Sequence, residues 1–306
     1  MGRITQIKEI NVGVIGLDSS HSIAFTELLN NIHHPYHVSG GKVVAAYPGG
    51  SSDIDISISR VPDYTEQLDN EYGIHMCSSI EEVVEMSDAI LLLSLDGRIH
   101  AEQFKQIAVL GKPVFIDKPF TINHIEAGTM FNLAEEWNVP LLSCSALRFA
   151  DPLSRVLNET RPEAIYGADC FGPLPLLASQ PGWFWYGIHT VEMLYRIMGK
   201  GCLEVTAMTT DQHEMITARW EDGRIGSARG NRAGNQAFGA SIHMDSGVIS
   251  IDINKSVKPF YACLLEEIIH MFKTGRAPVS RNETLELIRF IEAANESRVS
   301  KKTVFL

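Results

Sequence analysis

The segment Asp88–Leu95, DAILLLSL, constrains the fold more than any other stretch of the chain. It is apolar on successive residues, so both faces of a strand built from it must be buried. A strand of that kind belongs in the middle of a parallel sheet covered by helices on both sides. Its neighbours supply those helices. Val12–Gly16, Lys42–Tyr47, Pro113–Ile116 and Pro140–Ser143 read as strands. Between them Ser20–Asn31, Pro62–Tyr72, Ser79–Met86, Ile99–Leu110 and Ile122–Trp137 read as helices, with Ser79 and Glu82 spaced as a capping box. Short links between alternating strands and helices imply a doubly wound sheet. Right-handed crossovers then put the ligand crevice at the carboxyl ends of the strands.

The pattern changes after Leu147. A short helix, Pro152–Glu159, leads into the strands Ala164–Phe171, Leu203–Thr210, Glu214–Trp220, Arg224–Arg229, Phe238–Met244 and Val248–Ile253. Asp222-Gly223 and Ser246-Gly247 are hairpin signals. One helix, His189–Met198, interrupts the strands. Two more close the chain, the first between Pro259 and Gly275 and the second opening on a Ser280/Glu283 capping box. The expected fold class is α/β: an N-terminal doubly wound parallel sheet over 1–146, then a C-terminal α/β domain with an open, mainly antiparallel sheet over 147–306. Tyr47–Val61, rich in Gly, Ser and Asp, reads as the least structured stretch.

Charge and composition exclude several classes of function. A formal charge of −11 argues against a general nucleic-acid or anionic-membrane binder. No apolar run approaches the ~20 residues that span a bilayer, and MGRITQIKEI has no signal-peptide core. Five scattered cysteines without a C-x-x-C pair are expected to be reduced and buried, which suits the cytoplasm. No metal site is expected: His33, His34 and His37 cluster in a Pro-containing loop with no carboxylate in register.

The chemistry-bearing residues start at the turn after the first strand. A dinucleotide turn reads G-x-G-x-x-G, whereas the frame from Gly16 reads G-L-D-S-S-H. Asp18 and His21 stand where the second and third glycines belong. An aspartate ~5 Å from a phosphate would be repelled by roughly 3 kcal/mol at an effective dielectric near 20. Asp18 or Ser19 is therefore expected to cap its own helix, while Ser19 and Ser20 remain donors for a phosphate. The second strand ends in Tyr47-Pro48-Gly49-Gly50, without the acid that usually holds an adenine ribose. In VFIDKPF, Lys118 follows a buried strand and so falls in the crevice, with Asp117 placed to hold it. In GWFWYGIHTVEM, His189 opens a helix, Glu192 lies one turn further on the same face, and Trp183, Trp185 and Tyr186 precede them. Aromatic and polar groups together suit a sugar ring, although helix packing explains the aromatics equally well.

Taken together these motifs resemble the Gfo/Idh/MocA oxidoreductases, over nearly the whole chain. SLDGRIH at 94–100 stands in place of the family's T-P-x-x-x-H, and GKPVFIDKP at 111–119 in place of its G-K-x-V-x-x-E-K-P. The resemblance implies a Rossmann domain followed by an open α/β domain. It also implies NAD or NADP as cofactor and oxidation of a sugar or polyol hydroxyl by transfer of the hydride on its carbon. Lys118 and His189 take the catalytic positions. Gly16, Asp18, Ser19, Ser20, His21, Tyr47, Ser94, His100, Asp117 and Pro119 take cofactor positions, and Trp185, Tyr186 and Glu192 substrate positions. The departures are the missing turn glycines and ribose acid, Asp117 for glutamate, and Trp185 where the family's D-x-x-x-H has aspartate.

The leading expectation is thus an NAD(P)-dependent sugar or polyol dehydrogenase. The alternatives are a non-catalytic binding or regulatory relative on the same scaffold and a non-redox lyase or hydrolase. The expected partner is a small-molecule substrate, with no nucleic acid and no membrane. An open antiparallel sheet, needing cover on one face, suggests a homo-oligomer.

Overall fold

The structure, a computed structural model, describes residues 9–306. The chain divides into two compact units. Among the described residues, the first comprises 9–117 together with 130–142 and 265–278, and the second comprises 118–129, 143–264 and 279–306. Relative to the expected boundary after residue 146, residues 118–129 and 143–146 group with the second unit and residues 265–278 with the first.

The chain order is β1 (Ile10–Ile15), α1 (Ser20–Asn30), β2 (Gly41–Tyr47), α2 (Asp55–Ile58), α3 (Val61–Tyr72), β3 (His75–Met76), α4 (Ile80–Met86), β4 (Ala89–Leu92), α5 (His100–Ala108), β5 (Val114–Ile116), α6 (His124–Glu136) and β6 (Leu141–Leu142). The six strands form one parallel sheet in the order β3-β2-β1-β4-β5-β6. The order reverses between β1 and β4, which is where doubly wound folds open their ligand crevice. Val12, Val14, Leu91, Leu92, Val114 and Phe115 are fully buried, as the two-faced apolar run requires. Two elements were not foreseen. The two-residue β3 is too short to show a period, and α2 lies inside the Ser- and Asp-rich stretch expected to be irregular. Ser51, Ile54 and Ser57 in that stretch are buried, so it is packed backbone.

The second sheet is built from β7 (Ile165–Pro173), β8 (Cys202–Thr209), β9 (His213–Trp220), β10 (Ile225–Asn231), β11 (Gly239–Met244), β12 (Gly247–Asp252) and β13 (Val304–Phe305). Helix α7 (Asp151–Glu159) precedes it, α8 (Gly187–Met198) interrupts it, and α9 (Phe260–Thr274) and α10 (Arg281–Ser300) follow it. Strand order is β12-β11-β7-β10-β9-β8-β13. Every pair is antiparallel except β7 with β10, which is parallel. The inward residues Val205, Ile216, Ala218, Trp220 and Ala228 are buried, with α8 packed on β7 and β10 and α10 on β8. No helix among the described residues is long and apolar enough to cross a membrane.

A buried carboxylate ties this sheet to the aromatic segment before α8. Glu214 of β9 accepts from Trp183 Nε1 at 2.6 Å, Arg232 Nη2 at 2.6 Å and Thr209 Oγ1 at 3.1 Å, and pairs with Arg298 Nη1 at 3.5 Å. Truncation would leave two arginines facing an apolar gap. Glu214→Ala is expected to cost about 3–5 kcal/mol of unfolding free energy, measured by denaturant titration, and Glu214→Gln less, because its amide oxygen can still accept from Trp183.

Candidate functional site

The phosphate-type turn is built around Gly16. Its φ is +92°, and a Cβ placed there would lie 2.4 Å from the Ser94 nitrogen. Only glycine permits the ends of β1 and β4 to approach so closely. Gly16 N donates to Tyr47 O at 3.0 Å and Leu17 N to Pro48 O at 2.7 Å, so the loop after β2 closes on the same turn. Ser19 is the cap of α1, its Oγ accepting from His21 N at 3.3 Å, and the first turn of α1 carries no acid. That helix end can therefore receive an anion, with exposed Ser20 beside it.

Asp18 does neither thing expected of it. It is fully buried, accepting from Leu95 N at 3.1 Å and from Ser57 Oγ at 2.6 Å. Ser57 Oγ in turn accepts from Ser51 N at 2.7 Å. The carboxylate thus anchors the loops after β2 and β4; it caps no helix and does not face solvent. Burial pushes its pKa above the usual aspartate value, against the pull of Ser57 and Leu95. His100 and Ser94 are anchors of the same kind. Both are buried, and His100 Nε2 donates to Ser94 O at 2.7 Å. Tyr47 is half-buried. Two participants went unread in the sequence. Asp96 accepts from Ser51 Oγ at 3.0 Å and from Arg98 Nε at 2.9 Å, and Arg98 also reaches Asp53 at 2.8 Å.

Two of the departures from the family motif meet in space. His21 Nδ1 lies 2.8 Å from Asp117 Oδ2, with both side chains buried, and the His21 ring stacks on Phe25 at 5.3 Å between centroids. The histidine that replaces the third glycine therefore fills space between α1 and the end of β5 rather than loosening the contact. Asp117 faces His21, which revises its expected role as a clamp on Lys118.

In the second unit Lys118 is buried and precedes a cis Pro119. Its Nζ lies 5.5 Å from the centre of the Trp185 ring. Trp185, in the place of the motif aspartate, thus offers the ammonium a π face instead of a carboxylate. Trp185 contacts Tyr186 edge-on at 6.0 Å, Tyr186 contacts His189 at 5.5 Å, and His189 contacts Phe238 at 5.8 Å. Lysine, histidine and three aromatic rings form one continuous surface.

His189 has a partner that was not foreseen. Ser145 Oγ lies 2.6 Å from His189 Nδ1 and accepts from Leu147 N at 3.2 Å. Ser145 N donates to Glu192 Oε1 at 3.2 Å, and Arg148 Nη1 donates to Glu192 Oε2 at 2.9 Å. Arg148 also pairs with Glu283. Glu192 is 4 % exposed, so it supports the loop carrying Ser145 and is removed from the substrate role expected of it. Burial raises its pKa against the opposing charge of Arg148.

Residues 10–143 match the family model for Gfo/Idh/MocA, the oxidoreductase family with an NAD-binding Rossmann fold. A curated relative, an uncharacterized oxidoreductase of Streptococcus pneumoniae serotype 4, is 24% identical over 110 residues; these are 36% of this chain and 30% of that protein. Among solved structures, a probable dehydrogenase from Thermotoga maritima has a TM-score of 0.80 at 18% identity, covering 96% of this chain and 98% of the other. The apo scyllo-inositol dehydrogenase from Lactobacillus casei has a TM-score of 0.78 at 15% identity, covering 98% of each chain. These two likenesses extend the shared fold through the second sheet.

The buried carboxylate at the turn has a pH signature. A raised folded pKa contributes stability that is complete below the unfolded value, about 3.9, and is lost as pH rises through the folded value. Asp18→Asn removes that loss and keeps an acceptor for Leu95. Thermal unfolding from pH 4 to pH 8 is expected to show the variant gaining on the wild type as pH rises; a constant difference would contradict the assignment.

Proposed function

Residues 10–143 match the model of the NAD-binding Rossmann domains of the Gfo/Idh/MocA oxidoreductase family, and from that match we propose that this protein is a member that oxidises a hydroxyl of a sugar or polyol with NAD or NADP. The observation that carries the reading is the unbroken run of contacts from Lys118 through Trp185 and Tyr186 to His189, with Ser145 behind the imidazole.

The first unit fits a dinucleotide by three features. Its strand order reverses between β1 and β4, its α1 end is free of acids, and Asp18 is turned into the protein. The turn Gly16–Ser20 would hold the diphosphate, with Ser19 and Ser20 nearest it and Tyr47 beside the adenosine half. Ser94, His100, Asp18 and the His21–Asp117 pair shape that turn from behind. When bound, the nicotinamide supplies the hydride acceptor.

The second unit supplies acid–base chemistry. In the base form, His189 Nδ1–H donates to Ser145 Oγ, which leaves the Nε2 lone pair to take the hydroxyl proton. The Lys118 ammonium donates to the same oxygen and stabilises the negative charge that develops as the carbon-bound hydrogen leaves with its electron pair. Trp185, Tyr186 and Phe238 face the ligand with apolar surface that suits the C–H face of a ring. Trp185 and Tyr186 take the ring-facing role, while Glu192 supports Ser145 instead.

The same reading extends to the setting of the protein. None of the five cysteines, all buried, forms a disulfide, which fits the reducing, nicotinamide-rich cytoplasm. The face of the second sheet opposite α8 and α10 exposes Met208, Ile225 and Val248, and a second copy of the chain is the proposed cover. Light scattering of the purified protein should then give twice the 33.9 kDa chain mass or a higher multiple.

Titration with NADH and NADPH, followed by nicotinamide fluorescence, is expected to show saturable binding of one or both. A panel of sugars and polyols should then give turnover with the oxidised cofactor. Lys118→Ala should lower kcat by ~10²–10⁴-fold without altering cofactor binding. Ser145→Ala should lower kcat at least about tenfold and move the acid limb of the pH–rate profile, with recovery in Ser145→Thr. Cofactor binding that is absent in the wild type would overturn the proposal.

A further inference from the structure

A second cluster of donor atoms lies at the far edge of the first sheet. His75 sits in β3, the edge strand, and Cys77 just follows it. Glu82 sits in the first turn of α4 and Met86 in its last. One ligand atom each from His75, Cys77 and Glu82 lies within 4.8 Å of the others. His75 Nε2 is 3.5 Å from Glu82 Oε1, and Cys77 Sγ is 3.8 Å from Met86 Sδ. In a tetrahedral site with bonds of ~2.0–2.3 Å, ligand atoms stand ~3.3–3.8 Å apart. Both pairs already have that spacing.

The donors are also held in place. Glu82 Oε2 accepts from Ser78 N at 2.7 Å and Ser78 Oγ at 2.9 Å, which fixes the carboxylate and leaves Oε1 toward His75. Cys77 N donates to Ala46 O at 2.8 Å, so the thiol is set against β2. The expected capping box is only half realised here: Ser79 Oγ caps Glu82 N at 3.2 Å, but the Glu82 side chain serves Ser78. Its turn toward Ser78 is what brings its other oxygen to the histidine.

We propose that His75, Cys77 and Glu82, with Met86 as fourth donor, bind one Zn²⁺ ion. A thiolate and an imidazole select a borderline or soft cation, and a thioether excludes the hard ions Ca²⁺ and Mg²⁺. On binding, the Cys77 S–H bond breaks, its proton passes to solvent and a Zn–S bond forms, with no change of oxidation state. The ion would clamp the short edge strand to α4. No residue of the proposed catalytic or cofactor machinery takes part. The site is also separate from the His33–His37 loop, and it departs from the expectation of no metal.

The test is titration of the full-length apo-protein with Cd²⁺, followed by the thiolate-to-cadmium charge-transfer absorption, and then displacement by Zn²⁺. One equivalent per chain is expected, with the band lost in Cys77→Ser. Affinity should fall at least about tenfold in His75→Ala and Glu82→Gln, and less in Met86→Leu. Zn²⁺ should raise the melting temperature of the wild type and leave that of Cys77→Ser unchanged. A band that persists in Cys77→Ser, or an affinity indifferent to His75→Ala and Glu82→Gln, would mean an adventitious ion only and would overturn the proposal. So would the absence of saturable binding. Circular dichroism confirms that each variant is folded, and no readout depends on nicotinamide binding or turnover.

Discussion

The close approach of Gly16 to Ser94 is the contact on which the first unit turns. A Cβ at Gly16 would overlap the Ser94 backbone, so β1 and β4 can end side by side only because that side chain is missing. With those ends together, the loops after β1, β2 and β4 share one small volume. Asp18 then links them by accepting from Leu95 and Ser57, and His100 holds Ser94 from the other side. A turn that lacks two of its usual glycines keeps its shape through polar bonds made inside the protein. The buried charge costs solvation, and the donors around it offset part of that cost.

The second unit uses a similar device at its histidine. Ser145 Oγ ties His189 Nδ1, which in the proposed base role leaves the other ring nitrogen its lone pair. Ser145 is itself placed by Glu192, Glu192 by Arg148, and Arg148 by Glu283 of α10. The arrangement places a buried pair of opposite charges behind the loop that carries Ser145. Trp185 does the corresponding work at Lys118, where a π face replaces a carboxylate beside the ammonium. In the proposed reaction this leaves the ammonium field uncompensated on that side for the developing oxyanion.

Most elements were legible because their signals are local. The apolar run at Asp88–Leu95, the Ser280 cap of α10 and the Pro259 start before α9 each depend on residues a few positions apart. What was missed depends on distance or brevity. Strand β3 pairs by two residues and so shows no period. Helix α2 hides in a polar stretch because Ser57 is there to bond Asp18 and Ser51, not to be solvated. The one parallel pair of the mainly antiparallel sheet, β7 with β10, joins strands more than fifty residues apart, beyond the reach of any hairpin signal.

The residue types and spacing alone determined the doubly wound sheet and the place of the crevice at the carboxyl ends of its strands, while the family resemblance singled out Lys118 and His189. Those follow from periodicity and from short motifs, which the chain cannot carry without forming the corresponding local structure. Only the tertiary structure decided what Asp18, His21, Glu192 and Asp117 do. Each is a charged or titratable side chain whose effect depends on which donor or acceptor it meets, and their partners Leu95, Asp117, Ser145 and His21 lie far along the chain. An aspartate at the second glycine position repels a phosphate if it faces outward and anchors three loops if it faces inward. The sequence is the same in both cases, and the difference is the direction of one side chain.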